Sequence, residues 1–211
     1  IPYNATPDRS RKYIREALLE KKIDPTTDEL TQIVNAVYQS MDTIVPGPMQ
    51  VMRWIKKHVG LYIRNGAKEV QWVTPSGFIV NQRRDDIETM RMELQLLGRT
   101  SIRLPTGKFT PSPTKHKSST APNYIHSFDA SILHRSFTQF DEPFTVIHDS
   151  VLCRAGDMGT LNRLVRETYT NIFSEECWLS KFAKTINASE PPPIVGTLDP
   201  KVVSNSTYFF C

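Results

Sequence analysis

The sequence predicts an α+β protein, mainly helical, with an antiparallel hairpin and a protruding β-ribbon. Three observations predict it: apolar residues at helical period within residues 8–63, a change to period-two alternation from residue 69 onward, and the short apolar strand pair "FTVIHDSVL" at 144–152 between later helical segments. With 211 residues and 39% hydrophobic content the chain can fill a core, which excludes disorder of the whole. The 26 lysines and arginines against 22 acids give a net charge of +4, favouring an acidic partner such as nucleic acid. Three cysteines without a CxxC pair disfavour a disulfide framework or zinc site and favour a reducing, intracellular compartment. No apolar run is long enough to span a membrane, and the opening "IPYNATP" has no signal-peptide pattern, although targeting information can lie upstream.

Residues 8–63 read as helical. Thr26 and Glu29 have capping-box spacing, and Leu30, Ile33, Val34, Val37 and Met41 follow at helical period. Pro46-Gly47-Pro48 breaks that helix, and Met52, Ile55, Val59 and Tyr62 trace the next stripe. "EVQWVTPSGFIV" reads as two short strands around a Thr-Pro-Ser-Gly turn. In "TMRMELQLLG", Met90, Met92, Leu94 and Leu96 take one strand face, for packing, while Arg91, Glu93 and Gln95 take a polar face open to a ligand. "GRTSIRLPTGKFTPSPTKHKSST" reads as a basic, solvated or mobile Pro/Ser/Thr loop carrying Arg99, Arg103, Lys108, Lys115 and Lys117. "APNYIHSFDASILHRSF" then reads as a helix with Pro122 in its first turn and His126 in a mostly apolar stripe with Ala130, Leu133 and Phe137. A further helix starts at Asp157, and the tail from residue 191 has little regular pattern before its aromatic end.

The chemistry concentrates in His148-Asp149. Asp149 and Ser150 are ordinary turn formers, and His148 can be a satisfied hydrogen-bond donor or a catalyst. A carboxylate on a stiff hairpin, its strands read as buried, is also well placed to bind a hard cation. Magnesium takes one or two protein carboxylates, with water and phosphate completing its shell, so one Asp is half a site. Asp141 lies in a loop and Asp129 is expected to point away from the His126 face, which leaves the second ligand outside this chain. There is no Ser or Cys arrangement for nucleophilic catalysis, no glycine-rich phosphate loop, no HExxH and no EF-hand loop.

Five ordered motifs, "IPYNAT" (1–6), "WVTPSGF" (72–78), "APNYIHSFDAS" (121–131), "VIHDS" (146–150) and "STYFF" (206–210), together resemble the C-terminal part of the single-subunit, bacteriophage-type DNA-directed RNA polymerases, a group with phage, mitochondrial and linear-plasmid members. The resemblance implies the palm and part of the fingers of a right-hand polymerase: helical fingers over 1–68, the ribbon and basic loop over 69–119 where the family carries its promoter-recognition hairpin, the palm with its metal-binding hairpin over 120–176, and a tail over 177–211 packing on the palm. It implies that Asp149 is the second metal-binding aspartate, holding Mg²⁺, with His148 as its supporting neighbour. Tyr3 and His126 would contact the incoming nucleotide. Arg91, Glu93, Gln95 and Arg103 would contact DNA, unless the ribbon is only a surface with solvated charges. The implied partners are double-stranded DNA template or promoter, the RNA transcript, ribonucleoside triphosphates and the rest of the polymerase, within a virus-infected cell or a mitochondrion. The family's first catalytic aspartate and its fingers lysine and arginine belong upstream of "IPYNAT", so these 211 residues alone are expected to be inactive. A related DNA polymerase and a catalytically silent nucleic-acid-binding module are the alternatives.

Overall fold

The computed structural model describes residues 6–95, 98, 100–194 and 196–209. Its helices are α1 (Pro7–Glu20), α2 (Thr27–Ile44), α3 (Pro46–Arg64), α4 (Pro113–Phe137), α5 (Met158–Glu175) and α6 (Trp178–Thr185). Between them stand antiparallel two-stranded sheets: β1 (Val70–Val73) with β2 (Ile79–Gln82), β3 (Asp85–Leu94) with β4 (Thr100–Pro111), and β5 (Phe144–Ile147) with β6 (Ser150–Cys153). The fold is therefore α+β with small hairpins. No helix among the described residues is long and apolar enough to cross a membrane.

The helical run expected over 8–63 has one more break than its periodicity implied. α1 ends at Glu20, Lys22 takes a φ of 63°, and Pro25 precedes the next start. α2 then opens on the expected reciprocal cap: the Thr26 N–H donates to Glu29 Oε2 at 2.8 Å and the Glu29 N–H to Thr26 Oγ1 at 3.3 Å. The first of these bonds holds the Glu29 carboxyl below its ordinary value. The Thr-Pro-Ser-Gly turn is also as expected, with Gly77 at φ 82° and its N–H donating to the Thr74 carbonyl at 2.9 Å.

The stretch read as a basic loop is ordered: residues 100–111 pair with β3, and α4 starts at Pro113 with Ser112 as its cap. Pro122 consequently lies inside α4, where it cannot donate to the carbonyl of Ser118, and not in a first turn. α4 also turns the other face inward. His116, Thr120, Ala121, Tyr124, Phe128, Ser131 and Ser136 are buried, while His126 and Ala130 are exposed, so His126 does not sit in an apolar packing stripe. The physical reason is that the hydroxyls on the buried face bond the helix's own carbonyls: Thr120 donates to His116 O at 2.8 Å, Ser131 to Ser127 O at 2.6 Å and Ser136 to Ile132 O at 2.7 Å. Polar residue types thereby become acceptable in the core.

That core gathers Trp54, Ile55, Val59 and Ile63 of α3, Val70 and Trp72 of β1, Tyr124 and Phe128 of α4, Ile172 of α5, and Trp178 and Phe182 of α6. Its aromatic polar atoms find partners: Trp72 Nε1 donates to Ser127 Oγ at 3.0 Å, Tyr124 Oη to Trp178 O at 3.0 Å and Trp178 Nε1 to Ile172 O at 2.7 Å. Burial pushes the Tyr124 phenol well above its usual range. A second cluster, Phe140, Leu161, Leu164 and Val165, lies under the β5–β6 hairpin. In the tail, Arg166 donates to the carbonyls of Val203 at 2.5 Å and Ser206 at 2.7 Å, ordering a short 3₁₀ segment over Pro200–Asn205 where little pattern was expected.

Arg135 joins α4 to α5 through a two-pronged ion pair with Glu175, at 3.0 and 2.7 Å. The hydrogen bond from Arg135 holds the Glu175 carboxyl below its ordinary value of 4.5. A carboxyl with a lowered folded-state pKa contributes stability that is present above 4.5 and is lost as pH falls through the lowered value. Urea midpoints across the acid range are expected to show this loss in the parent chain and a shallower one in Glu175→Gln. Identical pH profiles for the two would remove the pair from the acid response.

Candidate functional site

The β5–β6 hairpin is closed by a two-residue turn, His148-Asp149, because Ile147 pairs directly with Ser150. Ser150 is thus already strand. His148 occupies this turn with a φ of 59°, a left-handed conformation in which glycine is the usual resident. Asp149 is exposed at the tip.

The hairpin's base is fixed at several points. The Phe144 and Phe137 rings stack 3.9 Å apart with planes 8° from parallel, and Val151 and Cys153 pack on the second hydrophobic cluster. Arg154 ties the two ends together, pairing with Glu142 before β5 and with Asp157 at 2.8 Å after β6. The strands themselves are not buried as the sequence suggested: Phe144, Val146, Ile147 and Leu152 are 38–59% exposed. Two strands cannot cover their own faces, and here only part of one face meets α5.

His126 and Asp129 stand on α4, the helix whose C-terminal Phe137 stacks on Phe144 at the hairpin's base. Contrary to the expectation that Asp129 points away from His126, its Oδ2 lies 3.7 Å from His126 Nδ1, as spacing of i,i+3 allows on one helix face. Partial desolvation raises the Asp129 carboxyl above its ordinary value even though 55% of the side chain is exposed; the charge of His126 opposes this, and the negative charge of Asp149 adds to it. The carboxylates on α4 and on the hairpin tip therefore lie within electrostatic reach of each other. Among the described residues, no three His, Cys, Asp or Glu side chains are grouped closely enough to hold a metal ion. Asp149 and Asp129 offer hard oxygen donors of the kind magnesium takes, but they are at most a partial shell. Tyr3 lies outside the described residues.

On the ribbon, Arg91 and Arg103 are direct cross-strand partners, and Glu93 faces Ser101. Like charges set opposite each other disfavour pairing unless an anion relieves them. Glu93 Oε1, 3.7 Å from Arg91, relieves part of the charge. Gln95 is exposed just past the end of β3. Met90, Met92 and Leu94, expected to pack, are 38–51% exposed, as is Leu104 opposite Met90, so the ribbon stands away from the core on both faces; Leu96, expected on the same packing face, lies outside the described residues. Sequence reasoning missed Asp129 as a neighbour of His126, although its spacing carried the signal, and missed His116 at the ribbon's root.

The family model for DNA-dependent RNA polymerase matches residues 1–192. Among curated proteins, the DNA-directed RNA polymerase of Pseudomonas phage phiKMV is 28% identical, covering 86% of this chain and 22% of the relative. The human mitochondrial DNA-directed RNA polymerase is 26% identical over 84% of this chain and 16% of its own length. T7 RNA polymerase of Escherichia phage T7 is 26% identical over 93% of this chain and 27% of its own length. The chain thus spans about a quarter or less of the relatives it matches. With most of its length inside that family model and both phage and mitochondrial enzymes among its relatives, the chain belongs to the phage-type DNA-dependent RNA polymerases.

Proposed function

We propose that this chain supplies the palm hairpin and part of the fingers of a DNA-directed RNA polymerase that adds ribonucleotides to an RNA 3′ end under the direction of a DNA template. The observation that carries this reading is the tip of the β5–β6 hairpin: an exposed carboxylate, Asp149, beside a histidine held in a left-handed turn, within electrostatic reach of Asp129 on α4. Strained backbone of this kind is retained where a side chain must be aimed. In this reading residues 1–68 belong to the fingers, 69–119 form the DNA-recognition ribbon and its root, 120–176 the palm, and 177–211 a tail packed on the palm.

Asp149 would hold one Mg²⁺ ligand position, with His148 supporting the turn; bound divalent cations in such sites stabilise the attacking and leaving oxygens of phosphoryl transfer. His126 and Tyr3 would contact the incoming ribonucleoside triphosphate. Arg91 and Arg103 would meet DNA as a pair, with Glu93 and Gln95 reading base edges beside them. The exposed apolar residues of β5 and β6 fit a hairpin completed by further polypeptide, the remaining part of the polymerase, which would also supply the other metal-binding carboxylate. The phage and mitochondrial setting of the relatives supports an intracellular site of action, in an infected cell or a mitochondrion.

The test is templated extension of an RNA primer by this chain joined to the remainder of its polymerase, with ribonucleotides and deoxyribonucleotides offered separately. Ribonucleotide extension by the joined protein, and none by these 211 residues alone, is the expected result. Preferred deoxyribonucleotide extension would make it a DNA polymerase. DNA binding without extension would reduce it to a binding module.

A further inference from the structure

The base of the ribbon is latched to α4 by a succession of side chains. Gln82, at the end of β2, donates from Nε2 to Thr120 Oγ1 at 2.7 Å and accepts from Asn123 Nδ2 at 2.7 Å. Beyond it, the carbonyl of Arg84 accepts from the Ser112 N–H at 2.8 Å. Lys115 reaches back to the Asp85 carbonyl at 2.6 Å and to the Asp86 carboxylate at 2.9 Å. In the middle of these contacts lies His116, fully buried.

Both ring nitrogens of His116 are used. Nδ1 lies 2.8 Å from the Ser112 carbonyl, which can only accept, so Nδ1 carries the proton. Nε2 is then a lone-pair acceptor, and it takes the N–H of Arg84 at 3.3 Å. One imidazole therefore joins the first turn of α4 to the residue immediately before β3. The same helix carries His126 and Asp129 toward its other end. At about 1.5 Å per residue, α4 sets a separation of about 15 Å along its axis between His116 and His126.

We propose that His116 is a positioning residue for DNA recognition: by accepting from the Arg84 N–H it fixes the direction in which the β3–β4 ribbon leaves α4, and so where Arg91 and Arg103 stand relative to the nucleotide site. The inference rests on the proposed reading of the ribbon as a DNA-binding element. It assigns a specificity role to a buried side chain that touches neither DNA nor nucleotide.

The two halves of the imidazole can be separated by substitution. An Asn amide overlays Nδ1 and keeps a donor for Ser112; a Gln amide overlays Nε2 and keeps an acceptor for Arg84. In the complete polymerase, His116→Asn and His116→Gln are compared for selectivity, measured as binding to duplexes enriched by the parent enzyme from a random-sequence pool relative to the unselected pool. Elongation from a preassembled RNA–DNA scaffold is measured alongside. His116→Asn is expected to lose selectivity by about tenfold, the factor that an unmet buried N–H is worth, while scaffold elongation stays within about twofold of the parent. His116→Gln should retain most of the selectivity. The reverse order, or equal loss of selectivity and elongation in both variants, would reduce His116 to an anchor of the helix start and overturn the proposal. Arg91→Gln/Arg103→Gln is the control for the underlying reading. If it lowers selectivity while both His116 variants match the parent, the positioning role fails alone; if it leaves selectivity unchanged, the ribbon does not read DNA and both ideas fall.

Discussion

Asp149→Asn in the complete polymerase is expected to slow nucleotide addition by about 10³-fold or more, while leaving the fold and template binding intact. The magnitude follows from what the substitution removes. A neutral amide keeps the size of the carboxylate but not its charge, and a cation ligand lost from a phosphoryl-transfer site removes several kcal/mol of charge stabilisation, at roughly 1.4 kcal/mol per tenfold in rate. The fold should be unaffected because Asp149 is exposed at a two-residue turn, a position where Asn is equally at home. Single-nucleotide addition on a preassembled RNA–DNA scaffold reads the rate without the complication of initiation. A rate within tenfold of the parent would sink the metal-ligand role of Asp149, and with it the assignment of the β5–β6 hairpin as the catalytic mount.

The sequence was most legible where local chemistry alone decides the backbone. The Thr26–Glu29 cap, the break at Pro46 and the Thr-Pro-Ser-Gly turn are each set by a few neighbouring residues, and each stands as expected. It was least legible across 98–120. There, Pro, Ser, Thr and Lys suggested a mobile loop, yet Ser112-Pro113 is a helix start of the usual kind, a capping hydroxyl followed by proline at the first position. Composition obscured that signal. The buried face of α4 was hidden for a related reason: Thr120, Ser131 and Ser136 look like surface residues until their hydroxyls are seen to bond carbonyls one turn back. Hydropathy therefore rotated the helix, placing His126 inward and separating it from Asp129. The hairpin strands misled in the opposite sense. Phe144, Val146 and Ile147 have the composition of buried strands, but burial requires partner surface, and within this chain little is supplied. Pairing across the ribbon depends on register, so the opposition of Arg91 and Arg103 could not be read from either strand alone.

Phe182→Ala is expected to destabilise the chain by about 3–5 kcal/mol, a large part of the roughly 5–15 kcal/mol that holds a typical domain folded. Phe182 is 2% exposed and sits where three elements meet. Its ring lies 4.8 Å from Tyr124 of α4 and 6.2 Å, edge-on, from Trp72 of β1. Those neighbours are tied elsewhere, Tyr124 to the Trp178 carbonyl and Trp72 to Ser127, so they cannot readily collapse into the space left behind. A cavity that cannot close costs the lost transfer energy and the lost contacts together. In urea, with a slope of roughly 2 kcal/mol/M, the midpoint should fall by about 2 M; Phe182→Leu, which fills much of the volume, should fall by less. A shift below about 0.5 M for the alanine variant would mean that α6 yields and refills the space. The consequence for function runs through α4. Tyr124 stands two positions before His126, and Phe128 one position before Asp129, on the same helix. Loosening the packing beneath Tyr124 therefore frees the element that aims the His126–Asp129 pair, and nucleotide addition should weaken in Phe182→Ala at temperatures where the chain is still folded. If addition is unchanged there, α4 is held in place by its contacts with the ribbon root and Glu175, not by the aromatic core.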